Sequence, residues 1–252
     1  MNAVLLCAGY ATRMYPLTED FPKPLLQVAG KPVIDYLVEQ IIDLPEVTHI
    51  HVVTNAKFVE HFKAWQMEWS SAISSKKVAF DIHNDGSTDN TNRLGAAADL
   101  RFVFKQIAEP SKVLVSGGDN IFLFRLEPLW QDFLLAQRHY VIALHEANKN
   151  KLMKTGVLTL GEENRVVRLH EKPRRPVSNW LCPPLYFLQP SAWPLLDEFL
   201  RTSKNNDAPG FFIDFLSRKE KVYAFKLNAS RLDIGSFNSY REAEEVLIKQ
   251  QT

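Results

Sequence analysis

Apolar residues recur along this chain with two periods. Short runs in which nearly every residue is apolar alternate with longer stretches in which apolar residues return every three or four positions. The short runs predict strands at residues 4–7, 49–54, 78–83, 113–116 and 140–145. The longer stretches predict helices at 32–44, 57–69, 95–107 and 126–137. Pro32 opens the first of these, and Val33, Tyr36, Leu37, Ile41 and Leu44 line one face. Phe58, Phe62, Trp65 and Trp69 stand at helical spacing in the second and read as core. Beyond residue 145 the strand-like runs are 154–160, 165–169, 185–188 and 222–227, with helices at 191–201, 211–217 and 236–249. Strands alternating with helices predict βαβ units and an α/β fold, Rossmann-like, with three αβα layers and a mixed, mainly parallel central sheet. With no internal repeat or low-complexity linker, the chain reads as a single domain over residues 1–252. Residues 1–140 form its expected nucleotide-binding half and 141–252 its second-substrate half.

In open α/β sheets ligands bind beyond the carboxyl ends of the strands. That directs attention to the turns after Cys7, after Ser116 and near Asp233. The first turn runs Ala8-Gly9-Tyr10-Ala11-Thr12-Arg13 and continues to Pro22-Lys23-Pro24. Small residues let backbone N–H groups approach an anion. Arg13 can fork across phosphate oxygens, and Lys23, stiffened between two prolines, adds a point charge. The fingerprints G-x-G-x-x-G and G-x-x-x-x-G-K-[ST] are both absent, which argues against a dinucleotide fold and a Walker loop. Taken alone, the segment also reads as an ordinary strand-to-helix turn with surface cations.

Three further segments carry candidate chemistry. Asn90, Arg93 and Gly95 precede a small-residue helix start that suits close approach of a flat group, or equally close helix packing. Asp119, in Gly117-Gly118-Asp119-Asn120, ends a buried strand, and Asp233 precedes Gly235 and a helix. Two such acids could converge on one Mg²⁺, although a lone Asp before a turn is more often a cap. Glu171-Lys172-Pro173 by itself is a plain exposed turn.

Net charge is small, with 30 Lys plus Arg against 29 Asp plus Glu, which disfavours general nucleic-acid binding. The two cysteines form no metal or disulfide framework. A start without a basic n-region, and no apolar run of spanning length, predict no membrane partner and a soluble, cytoplasmic protein.

Residues 9–25 resemble the signature of sugar-1-phosphate nucleotidylyltransferases, G-x-G-T-R-[LM]-x-P-L-T-x-x-x-P-K-P-[LM]. Gly9, Thr12, Arg13, Met14, Pro16, Leu17, Thr18, Pro22, Lys23, Pro24 and Leu25 match it in register. Ala11 stands where that family usually has Gly, and alanine resists positive φ. The resemblance continues through Gly118-Asp119-Asn120, Glu171-Lys172-Pro173 and Asp233-Ile234-Gly235, in the family's order, to about Val246. It implies the nucleotide-diphospho-sugar transferase fold and an enzyme that condenses a nucleoside triphosphate with a sugar 1-phosphate, releasing pyrophosphate.

Mg²⁺ is the implied cofactor, with Asp119 and Asp233 as its ligands. The implied catalytic residues are Arg13, Lys23, Asp119 and Asp233. The implied nucleotide-binding residues are Ala8, Gly9, Tyr10, Ala11, Thr12, Arg13, Asn90, Arg93 and Gly95. Asn120, Gly156, Glu171 and Lys172 would hold the sugar phosphate. Pro184-Leu185-Tyr186 replaces a more usual Gly-Ile/Val-Tyr, which leaves the sugar open. UTP or dTTP is favoured, with cytosine open and purines less so. A non-sugar acceptor such as phosphocholine, and a non-catalytic regulatory relative, stand as alternatives. Members of that family often form dimers or tetramers, so the resemblance is compatible with a homo-oligomer. The end near Thr252 is expected to leave no room for the C-terminal β-helix domain some relatives carry.

Overall fold

The computed structural model describes residues 1–70, 75–205 and 207–251. The chain forms two compact units that interleave along the sequence rather than meeting at residue 140. Unit 1 comprises Met1–Arg93, Gly117–Glu127 and Ser230–Thr252, and unit 2 comprises Leu94–Ser116 and Pro128–Ala229.

In unit 1, strands β1 (Asn2–Leu6), β4 (His49–Thr54) and β5 (Ala79–Asn84) pair in parallel, with β4 in the middle. β1 is apolar almost throughout because a parallel strand is covered on both faces. The helix Val59–Glu68 packs Trp65 on Phe80 with ring centroids 5.6 Å apart. The indoles of Trp65 and Trp69 both donate to Asp35 on the helix Asp35–Ile41.

That helix starts three residues later than the periodicity predicts, and the chain before it explains why. Gln27–Val28 (β2) and Lys31–Pro32 (β3) pair around Ala29 and Gly30, both at positive φ, as a two-residue hairpin requires. The N–H groups of Val33 and Ile34 then go to the carbonyls of Leu26 and Pro24 instead of entering a helix. A second ribbon, Asn120–Phe122 (β7) with Arg231–Asp233 (β14), lies outside every predicted strand. Met14, Leu26, Val28, Val33, Ile121, Ile234, Ala243 and Leu247 form one buried cluster. This cluster fastens the Arg13 turn, the Lys23 segment and both ribbons to the C-terminal helix Phe237–Gln251.

In unit 2, β10 (Val166–Glu171), β9 (Gly156–Leu160), β11 (Trp180–Cys182), β8 (His139–His145), β12 (Leu185–Leu188) and β6 (Val113–Gly117) follow one another, antiparallel where paired. β13 (Val222–Leu227) pairs with β8 in parallel. The helix Ala96–Phe104 stacks Phe104 on Trp193 of the helix Ala192–Thr202, with centroids 3.9 Å apart. The helix Pro209–Lys219 opens on a proline whose missing N–H costs nothing at a first turn. Its Asp214 pins β10 by accepting from Leu169 N (3.1 Å) and Arg168 Nε (2.8 Å). Among the described residues no helix is long and apolar enough to cross a membrane.

Candidate active site

Asp119 and Asp233, far apart in sequence, are neighbours in unit 1. Asp233 is the cross-strand partner of Asn120 on the β7–β14 ribbon, and Ile234 N donates to Asp119 O at 3.1 Å. Lys23 donates to the Asp119 carboxylate, and Asn120 Nδ2 donates to its Oδ1 at 2.6 Å. Arg231 donates to Asn120 Oδ1 and lies 3.5 Å from the Asp233 carboxylate. Burial by itself would push the Asp119 carboxyl up, but the Lys23 ammonium and the Arg231 guanidinium outweigh it and hold the group below the ordinary range. The carboxylate is therefore ionised at neutral pH. The Asp119 carboxylate and the side chain of neighbouring Asp233 offer oxygen donors of the kind a hard divalent cation takes, so the residues present fit such an ion.

Arg231 escaped the sequence reading. Its signal is its position two residues before Asp233 on a strand, which places both side chains on one face. The glycine just before Asp119 has a packing cause. A Cβ on Gly118 would overlap Cys7 Sγ, and it would stand 3.3 Å from Pro24 Cβ and Cγ. Burial first, then the Asp119 charge, pushes the Cys7 thiol far up, so it stays protonated and is no nucleophile.

The turn after β1 keeps its shape through local bonds. Asn55 Nδ2 donates to Ala8 O, Thr18 Oγ1 to Ala11 O (2.9 Å) and Met14 N to Ala11 O (2.9 Å). Ala11 adopts the left-handed conformation expected of glycine, φ 49° and ψ 37°, so the loop keeps the glycine shape despite the alanine. Apart from Gly9 and its two chain neighbours, no described heavy atom lies within 4 Å of where a Gly9 Cβ would stand, which leaves the backbone there open to a ligand. Arg13 is exposed, whereas the Tyr10 ring turns inward beside Phe58. Asn90 accepts from Arg93 Nη1 at 3.1 Å in a loop ordered by Asp89 and Asn92 side chains that accept from backbone N–H groups. Gly95 belongs to unit 2, where its φ of 89° sets it just before the helix Ala96–Phe104.

Unit 2 brings together Gly156, Glu171 and Lys172. Glu171 ends β10 directly opposite Gly156, and Lys172, at φ 45°, donates its N–H to Thr155 O. A Cβ on Gly210 would overlap the Glu171 carboxylate and crowd Leu169 Cδ2, so a side chain there would have to displace Glu171. Gly156 is packed close, with Leu169 Cδ2 and Cys182 O 3.1 and 3.2 Å from a would-be Cβ. Burial, reinforced by Asp207 and opposed by Lys172, raises the Glu171 pKa. Asn120 lies in the other unit with its side chain committed to Asp119 and Arg231.

Comparison with known proteins gives consistent results. The bifunctional protein GlmU of Methanocaldococcus jannaschii is 30% identical over 251 residues, 98% of this chain and 54% of that protein. The UTP–glucose-1-phosphate uridylyltransferase AglF of Haloferax volcanii is 25% identical over 255 residues, 100% of this chain and 98% of that one. The chain thus spans about half the length of its GlmU relatives and nearly all of AglF. A UDP-glucose pyrophosphorylase solved with UDP-glucose superposes with a TM-score of 0.82 at 21% identity, covering 99% of this chain and 98% of that one. That likeness establishes the fold, a mixed central sheet with flanking helices of the nucleotide-diphospho-sugar transferase type. Members of such families generally use divalent metal ions. The sequence profile of the Nucleotidyl transferase family matches residues 2–250, and the chain belongs to that family.

Proposed function

We propose that this chain is a Mg²⁺-dependent nucleotidylyltransferase that joins UTP or dTTP to a sugar 1-phosphate, giving a nucleoside diphosphate sugar and pyrophosphate. The observation that carries this reading is the ribbon register that sets Asp233 beside Asp119, with the Lys23 ammonium on the same carboxylate. A phosphate monoester is already a nucleophile near neutral pH, so positioning and charge neutralisation suffice, without a catalytic Ser, Cys or His.

Asp119 and Asp233 would hold Mg²⁺, and the bound ion would supply Lewis-acid polarisation of the α-phosphate. Arg13 and the amides of residues 8–13 would bind the leaving pyrophosphate. Lys23 would move from Asp119 toward charge developing near the α-phosphate. Arg231 would keep Asn120 and Asp233 in register. Asn90, Arg93 and Gly95 would bind the base, while Lys172 holds the acceptor's phosphate and Glu171 with Gly156 orients its sugar hydroxyls. The match to AglF, a UTP–glucose-1-phosphate uridylyltransferase, over 100% of this chain and 98% of that one supports a uridylyl donor with a sugar 1-phosphate such as glucose 1-phosphate.

The experiment is pyrophosphate release from five nucleoside triphosphates against a panel of sugar 1-phosphates, with phosphocholine included. Release that needs one sugar phosphate and disappears in Asp119→Ala supports the reading. Release with phosphocholine alone would replace the acceptor, and nucleotide binding without any release would overturn catalysis.

A further inference from the structure

Unit 1 carries a histidine cluster that nucleotidyl transfer does not use. His51 and Asp81 are direct cross-strand partners on β4 and β5, and His83 lies two residues beyond Asp81 on the same face. His51 Nδ1 is 3.0 Å from His83 Nε2 and 3.5 Å from the Asp81 carboxylate. The other ring nitrogen of His51 is 3.0 Å from Asn2 Oδ1 on β1. That oxygen only accepts, so Nε2 carries the ring proton and Nδ1 turns its lone pair toward Asp81 and His83.

We propose that His51 Nδ1, His83 Nε2 and the Asp81 carboxylate form a binding site for a divalent transition-metal ion of the Zn²⁺ class. Tetrahedral zinc with bonds of about 2.0–2.1 Å sets neighbouring donors roughly 3.3 Å apart. The separations of 3.0 and 3.5 Å lie on either side of that value, and all three donor atoms fall within 4.8 Å of one another. Two imidazoles and one carboxylate suit zinc and its neighbours, whereas Mg²⁺ takes oxygen donors.

The Nε2–H bond to Asn2 is the outer contact that fixes the tautomer of a metal-bound histidine. In-register pairing of β4 with β5 holds the donors on a rigid surface. His51 is buried, its side chain 6% exposed, while Asp81 at 49% leaves an entry path and room for a water as fourth ligand. Burial, then His83, pushes the His51 pKa down to about 4, and burial lowers that of His83 too, so both rings are neutral ligands at pH 7. Loaded with the ion, the site ties β5 to β4 and, through Asn2, to β1.

The test strips the full chain with a chelator and titrates it with Zn²⁺ by calorimetry in millimolar Mg²⁺, which keeps the oxygen-donor acids out of the reading. One Zn²⁺ per chain is expected for the wild type and equally for Asp119→Ala. His83→Gln and Asp81→Asn should each weaken binding at least about 100-fold, and Asn2→Ala about 10–100-fold. Co²⁺ in place of Zn²⁺ should give the visible bands of a four-coordinate ion in the wild type and in Asp119→Ala, but not in His83→Gln or Asp81→Asn. Folding of each variant is checked by circular dichroism in chelator. Should His83→Gln fail that check, Asp81→Asn, at an exposed position, carries the comparison. Absence of Zn²⁺ binding by the wild type, or equal binding by wild type and Asp81→Asn, overturns the proposal. Neither result depends on pyrophosphate release.

Discussion

Replacing Gly118 with alanine damages the candidate metal site through packing, without touching a charge. The new Cβ overlaps Cys7 Sγ and stands 3.3 Å from two atoms of Pro24. Neither neighbour can retreat freely. Cys7 N is bonded to Val53 O at 2.8 Å and Pro24 O accepts from Ile34 N at 2.9 Å, with both residues buried. Overpacking of this kind costs about 1–3 kcal/mol. Cys7→Ala opens a small void and costs about 1 kcal/mol by itself. In the double variant the alanine methyl enters the space the sulfur vacates, so the two costs partly cancel, with a coupling of about 1–2 kcal/mol. Because Gly118 precedes Asp119, the displaced backbone also carries the carboxylate, and kcat should fall about 10–100-fold in Gly118→Ala and recover in part in the double variant. Urea unfolding of the four proteins, with pyrophosphate release from each, reads both effects. Additivity within about 0.5 kcal/mol, or a Gly118→Ala variant as stable as the wild type, refutes the packing argument.

Glu171, its folded pKa raised mainly by burial, is destabilising above that pKa, a penalty that vanishes as pH falls through it. Glu171→Gln should therefore gain on the order of 1 kcal/mol near pH 7 in thermal unfolding while raising KM for the sugar phosphate; unchanged or lower stability contradicts the burial argument. His51 has its folded pKa depressed to about 4 from 6.5, so its contribution is complete above pH 6.5 and is lost as pH falls toward 4. In chelator, unfolding free energy should drop by about 2 kcal/mol between pH 7.5 and 5 from this group alone, and His51→Gln should flatten that slope. Asp214→Ala strands Leu169 N–H and removes the partner of Arg168 and Arg218. A loss of about 2–4 kcal/mol is expected by denaturant titration, and a loss under 1 kcal/mol would mean water replaces the carboxylate.

The sequence pattern located β4, β12 and β13 at their observed limits because each is a short run rich in apolar and β-branched or aromatic residues, bounded by polar residues or proline. It missed β7 and β14, which have three residues each and sit beside acids and turns that read as loop. That ribbon is what converges Asp119 on Asp233, so their convergence could be inferred only through the family resemblance. It placed a helix start at Pro32 because periodicity cannot see that Val33 and Ile34 spend their N–H groups on Leu26 and Pro24. Arg231 and Asn120 were hard to place for a related reason: their roles follow from cross-strand register, which local spacing does not encode. The Arg13 and Lys23 segments were legible because many fixed positions fall in one short span.

The central claim is attack by a sugar-phosphate oxygen on the α-phosphorus of the nucleotide. Its most direct test supplies the acceptor sugar 1-phosphate with ¹⁸O in the non-bridging phosphate oxygens and follows the products by mass spectrometry and ³¹P NMR. The account predicts that ¹⁸O bridges the two phosphorus atoms of the nucleoside diphosphate sugar and that the pyrophosphate carries none. Label in the pyrophosphate, or hydrolysis of the nucleotide with the sugar phosphate returned intact, would contradict it.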